Sequence, residues 1–125
     1  MIVGLGIDIA EPDRLRAAVD RYGRRFLERV FTPTEIAYCE RKRYKWERYA
    51  VRFAAKEAAF KALGTGWRRG VRWRDVEVTN LPSGQPTLAL SGQAEKFAHR
   101  LGVNHIAVSL THSDQFVLAQ VIFEK

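Results

Sequence analysis

The chain has a single cysteine, Cys39, in 125 residues. One thiol excludes an intrachain disulfide and supplies no metal-ligand pair, so a reducing, cytoplasmic setting is expected and a structural zinc is not. No apolar run reaches the roughly 18 residues needed to cross a bilayer. The N-terminus lacks a basic segment ahead of its apolar stretch, and Asp8 interrupts that stretch, so it reads as a strand and not as a signal peptide. Glycine and proline are both absent from residues 46–63, so nothing there interrupts a helix. There is no internal repeat, low-complexity tract or linker, and residues 1–125 are expected to form one domain.

Acidic residues are scarce in the first half. Between residues 12 and 74, 18 Lys and Arg stand against 7 Asp and Glu, a surplus of 11. The formal net charge is +7, so the remainder of the chain carries −4. A basic half points to an anionic partner, whether nucleic acid, a phosphorylated cofactor or an acidic protein.

The alternation at residues 2–10 predicts a strand with Val3, Leu5, Ile7 and Ile9 on a core face. Gly4, Gly6 and Asp8 then fall on a bare face that another backbone can approach. Residues 11–30 have a helical pattern with Pro12 in the first turn and an apolar stripe of Leu15, Ala18, Val19, Tyr22 and Phe26, kinked or divided at Gly23. The stretch "TPTE" at 32–35 has the form of a capping box opening a short helix to about residue 43. A longer helix over about 46–63 stops at Gly64. A basic, glycine-marked loop follows it. Strands are expected at 72–79, 87–91, 104–111 and 116–123, with a helix at 91–101 closed by Gly102. Strands at both ends around central helices indicate an α+β fold in which the terminal strands share an antiparallel sheet.

Chemistry concentrates in "RFAAKEAAFKALGTG", residues 52–66. Glu57 and Lys61 lie four apart on one helix face, with Arg52 and Lys56 as a second such pair beside them, and Phe53, Phe60 and Leu63 can supply the buried side. The plainest reading is a solvated charged face with an exposed Glu57–Lys61 ion pair. Against it, Lys61 sits one turn before a Gly-Thr-Gly loop whose backbone N–H groups could approach phosphate, with Arg68 and Arg69 nearby. Mg²⁺ takes only one or two protein carboxylates beside waters and phosphate oxygens, and Asp8 and Glu57 could be those two if strand and helix pack together. His112 ends an alternating strand, where a structural hydrogen-bonding role is the commoner one; His99 and His105 read as surface residues.

In order and spacing, "GLGIDIAEPDRL", "FTPTE", "RFAAKEAAFKALGTG", "GVRWRDVEV", "GQPTL" and "AVSLTH" resemble the holo-[acyl-carrier-protein] synthases, the short bacterial 4'-phosphopantetheinyl transferases. The resemblance spans essentially the whole chain. It implies the 4'-phosphopantetheinyl transferase fold, an antiparallel sheet wrapped by helices around one long central helix. It also implies Mg²⁺-dependent transfer of phosphopantetheine from coenzyme A to a serine of apo-acyl-carrier protein, within fatty acid biosynthesis, by a homotrimer with sites between subunits.

By that resemblance Asp8 and Glu57 are Mg²⁺ ligands, and Lys61, Gly64, Thr65 and Gly66 contact the coenzyme A phosphates. Arg52 and His112 line the site, and Glu57, a metal-bound water or His112 removes the serine proton. Acyl-carrier proteins are small and acidic, so Arg14, Arg21, Arg24 and Arg25 would dock one, with Phe26 as an apolar anchor or as core. Pro12, Trp46, Trp67 and the run of Arg16, Arg24, Arg25 and Arg29 depart from the family pattern. The rival reading, a basic nucleic-acid-binding module, leaves Asp8, Glu57 and the bare strand face without a use, so no nucleic-acid or membrane partner is expected.

Overall fold

A computed structural model describes residues 1–125. Its elements are β1 (Ile2–Ala10), α1 (Pro12–Tyr22), α2 (Arg24–Val30), α3 (Pro33–Glu40), α4 (Lys45–Leu63), β2 (Val76–Asn80), β3 (Pro86–Leu90), α5 (Gly92–Leu101), β4 (His105–His112) and β5 (Val117–Glu124). A three-stranded antiparallel sheet in the order β1-β5-β4 unites the two ends of the chain, and β2-β3 form a separate hairpin. The expected terminal pairing is therefore present, but the strands divide between two sheets.

Local rules account for the boundaries. Gly23, at φ 75°, divides the first helical segment into α1 and α2. Thr32 and Glu35 form the reciprocal capping box that opens α3. That helix ends at Glu40, three residues earlier than its pattern suggested. Gly64 adopts the left-handed conformation at the end of α4, which a side chain would disfavour. The strand expected from residue 72 begins only at Val76, because Trp73–Asp75 form a 3₁₀ turn.

The alanine-rich face of α4 lies on the inner face of the sheet. Ala54, Ala55, Ala58, Ala59 and Ala62 are buried against Val117, Ala119, Val121 and Phe123 of β5. Small side chains on the helix and none at Gly4 and Gly6 let α4 and β1 approach backbone to backbone. A methyl at Gly6 would lie 1.8 Å from the Ala58 carbonyl oxygen, and one at Gly4 would lie 2.1 Å from that of Ala62. Neither obstacle is a side chain that could swing away. Gly6→Ala should therefore lower stability by about 3 kcal/mol or more, the upper range for overpacking; a urea midpoint within experimental error of wild type would refute this contact.

The same packing reverses one expectation. The glycine face of β1 is the core face, while Leu5, Ile7 and Ile9 point outward and are 55%, 51% and 58% exposed. In register beside them on β5 stand Ile122, Gln120 and Leu118, so the outer face of this sheet carries an uncovered apolar stripe.

Candidate active site

Close packing of β1 on α4 brings together residues 49 apart in sequence. Asp8, two residues beyond Gly6, and Glu57, one before Ala58, come close enough for the Asp8 carboxylate to act on that of Glu57. Lys61 Nζ donates to Asp8 Oδ1 at 2.9 Å and to the Ile7 carbonyl at 3.0 Å. The ion pair that forms is thus Lys61–Asp8 across two elements, not the local Glu57–Lys61 pair that helix spacing offers. Desolvation, and then the facing Asp8 charge, push the Glu57 carboxyl up to about 7.

A raised carboxylate has a definite stability signature. The fold holds the Glu57 proton more tightly than the unfolded chain does. This contribution is present below the ordinary glutamate value and is lost as pH rises through about 7. In chelator, Glu57→Gln should therefore melt higher than wild type at pH 8.5, by on the order of 1 kcal/mol once solvent screening is allowed for, and equally at pH 4.5. Equal melting temperatures at pH 8.5 would show that the two carboxylates do not oppose each other.

An open cleft of about 470 Å³ adjoins the carboxylates. Glu57 and Phe53 of α4 line it, together with Arg14, Leu15 and Ala18 of α1, Phe26 of α2 and Phe116. Arg14, Arg21, Arg24 and Arg25 are all exposed and Phe26 is half-buried; of these, Arg14 and Phe26 line the cleft. Arg24 is held by Glu28 at 3.1 Å, and the Arg21 guanidinium lies over the Tyr22 ring. Phe53 and Phe116 were not singled out from sequence as site residues. Phe53 could have been, because it stands one turn before Glu57 on the same face.

Several predicted participants are placed elsewhere. Arg52 and Lys56 are not a solvated wall. Lys56 is fully buried, pairs with the equally buried Glu35 at 2.7 Å and donates to the carbonyls of Trp73 and Val76. Burial pulls the Lys56 ammonium below the usual lysine range while Glu35 opposes that shift. Arg52 is 4% exposed, its guanidinium lies over the Tyr38 ring, and its Nε has no acceptor.

The Gly-Thr-Gly loop offers no ring of free donors. The N–H of Gly64 bonds Lys61 O, and those of Thr65 and Gly66 both bond Phe60 O. His112 sits between Glu47 and Arg48, at 3.2 and 3.3 Å. Glu47 precedes Glu57 by ten residues, about 15 Å of helix, so one chain does not bring His112 to the Asp8–Glu57 pair.

This sheet-on-helix frame, with two carboxylates and a lysine meeting where strand and helix touch, matches a known class. The family model of the 4'-phosphopantetheinyl transferase superfamily matches residues 4–121, and the chain belongs to that superfamily. A holo-[acyl-carrier-protein] synthase of Solibacter usitatus is 58% identical over 124 residues, covering 99% of both chains. The crystal structure of holo-[acyl-carrier-protein] synthase from Neisseria meningitidis superposes with a TM-score of 0.89 at 33% identity, covering all of both chains. That of Helicobacter pylori, in complex with coenzyme A, superposes with a TM-score of 0.83 at 30% identity, covering 96% of this chain and 99% of the other.

Proposed function

We propose that this protein transfers the 4'-phosphopantetheine group of coenzyme A to a serine hydroxyl of an apo-acyl-carrier protein in fatty acid biosynthesis, releasing adenosine 3',5'-bisphosphate. The convergence of Asp8, Glu57 and Lys61 at the edge of an apolar cleft carries this reading. The serine oxygen bonds to the pantetheine-side phosphorus, the bond from that phosphorus to the bridging oxygen breaks, and a base takes the serine proton.

Asp8 and Glu57 would hold Mg²⁺. Two hard oxygen donors with no further metal-binding side chain grouped beside them suit a cation that keeps waters and takes phosphate oxygens, and a cation would offset both the desolvation and the Asp8 charge that raise Glu57. When bound, Mg²⁺ supplies charge neutralisation on the pyrophosphate. Lys61 uses two of its three N–H donors on Asp8 and Ile7 and keeps one for a phosphate oxygen. Glu57, which lines the cleft, would be one group placed to accept the serine proton. The left-handed turn at Gly64 ends α4 just past Lys61, so Gly64 and Gly66, on either side of the buried Thr65, would let a phosphate approach by lacking bulk and not by donating N–H groups.

Assembly follows from what the sheet leaves uncovered. The stripe of Leu5, Ile7, Ile9, Leu118 and Ile122 supports packing between copies, and a homotrimer is the state the family resemblance implies. In such an assembly the Arg48–Arg52–His112 end of α4 can complete a neighbour's Asp8–Glu57 site, and Arg52 Nε still has an acceptor to find. Sedimentation should give three times the 14.3 kDa chain mass, and Ile7→Lys should lose assembly and activity together; an active monomer would remove the shared site.

The carrier protein docks on the basic face of α1 and α2, its apolar side chains entering the cleft beside Phe26 and Phe53. Arg14→Glu should raise the KM for the carrier protein several-fold without changing that for coenzyme A, with the gap narrowing in high salt. An unchanged carrier KM would place docking elsewhere. A buried lone thiol and the lack of any helix long and apolar enough to cross a membrane support a cytoplasmic setting. The reading as a whole is tested by mass spectrometry of apo-acyl-carrier protein incubated with coenzyme A, Mg²⁺ and this protein. No gain of one phosphopantetheine would refute it.

A further inference from the structure

The basic face of α1 and α2 holds its arginines in different ways. Arg25 has no carboxylate partner, and the Arg21 guanidinium rests over the Tyr22 ring. Arg14 comes no closer than 3.7 Å to Glu11, beyond hydrogen-bond reach. Arg24 alone donates a hydrogen bond to a carboxylate of its own chain, from Nε to Glu28 Oε1 at 3.1 Å.

Helix formation does not account for this pair. Arg24 opens the seven-residue α2 and Glu28 stands in its last turn. Cation and anion are thus placed in the reverse of the order that the peptide dipoles favour, and arginine precedes glutamate where a helix gains more from the opposite sequence. Packing does not account for it either. The two side chains are 65% and 55% exposed, while Leu27 and Val30 supply the buried side of α2.

A carboxylate in this place acts on whatever docks there. An acidic partner reaching for Arg24 Nε must displace Glu28, which is then left unpaired beside the incoming acid. Arg24 has no other carboxylate free to take it. Glu40, whose charge Arg24 also feels, is engaged by the Tyr49 hydroxyl at 2.6 Å and by Lys45 at 3.3 Å.

We infer that Glu28 is a specificity-determining residue for the acidic carrier protein: it occupies Arg24 in the free protein, so only a partner with a carboxylate placed to replace it gains from that arginine. This rests on the transfer reading above and on its docking face. A chain of net charge +7 attracts any dense polyanion. Glu28 opposes negative charge spread along α2, whereas a folded carrier that brings one well-placed acid to Arg24 loses least, and discrimination follows from the repulsion as much as from the attraction.

The test compares wild type, Glu28→Gln, Arg24→Ala and the double variant. It measures the KM for apo-acyl-carrier protein, the KM for coenzyme A and, at saturating coenzyme A, inhibition by heparin as a dense polyanion. Glu28→Gln should lower the carrier-protein KM roughly two- to five-fold at low salt, the scale of one exposed ion pair. It should lower the heparin inhibition constant by a larger factor, and leave the KM for coenzyme A unchanged. Both gains should fade in high salt. In the Arg24→Ala background Glu28→Gln should have a clearly smaller effect, because the carboxylate acts through that guanidinium. A lower melting temperature for Glu28→Gln with an unchanged carrier-protein KM would assign the residue to the fold alone. Equal gains for carrier and heparin, or strict additivity with Arg24→Ala, would likewise overturn the inference. Each of these outcomes leaves the transfer reading standing, whereas a wild type that transfers nothing would remove both.

Discussion

Glu57→Gln lowers kcat/KM for phosphopantetheine transfer by roughly a thousand-fold, the effect expected when several kcal/mol of transition-state charge stabilisation are withdrawn. Asp8→Asn has an effect of similar size. The reason is the economy of the site: no third metal-binding side chain is grouped with the two carboxylates, so no other acid can take over from either. The two variants should differ in stability. Asp8→Asn frees Lys61 from its 2.9 Å partner, an exposed contact of small worth, whereas Glu57→Gln removes a charge that desolvation and the facing Asp8 both disfavour. Transfer assays at limiting Mg²⁺, run beside thermal melts, separate lost chemistry from lost fold. Either variant retaining a tenth of wild-type activity would show that the pair is not the reacting centre.

Lys56→Met costs about 3–5 kcal/mol of stability, the penalty for leaving one member of a buried ion pair alone. Glu35 would remain fully buried, accepting only from the backbone N–H groups of Thr32 and Val78. The carbonyls of Trp73 and Val76 would lose the ammonium as a donor as well, with Trp73 O keeping the Val76 N–H. Pairing Lys56→Met with Glu35→Gln should recover only part of the loss, because no uncompensated charge remains but the single amide oxygen can accept from just one of the Thr32 and Val78 N–H groups. Urea unfolding of both variants measures the difference. A cost below about 1 kcal/mol for Lys56→Met alone would mean that water or a local shift replaces the missing ammonium.

Features set by residues close in sequence were legible from it. The capping box at Thr32–Glu35, the break at Gly23, the stop at Gly64 and the long alanine-rich helix follow from near neighbours. The approach of Asp8 to Glu57 was foreseeable as a possibility, since bare glycines invite a packed helix. Which face of β1 would be inside was not legible. Alternation reveals two faces, and hydrophobicity favours the one bearing Leu5, Ile7 and Ile9. Close contact with α4 instead selected the face with no side chains. The fate of the basic run was also hidden, because the partner that draws Lys56 inward is Glu35, 21 residues earlier, on a helix whose placement spacing does not give. His112 had a plain local signal, yet its place at the far end of α4 depends on the register of β4 against β5.

The backbone contact at Gly6 also bears on how this molecule can fluctuate. Asp8 and Glu57 are carried by a strand and a helix that touch without intervening side chains, and the same two elements hold the centre of the core. Neither carboxylate is mounted on a loop that can open independently. The backbones that carry them can separate only through an opening large enough to expose the protein interior, so amide hydrogens around residues 6 and 58 belong to the slowest-exchanging class. The mounting of the acid pair therefore has no private route to disorder, and only side-chain rotation is left to vary the distance between the two carboxylates.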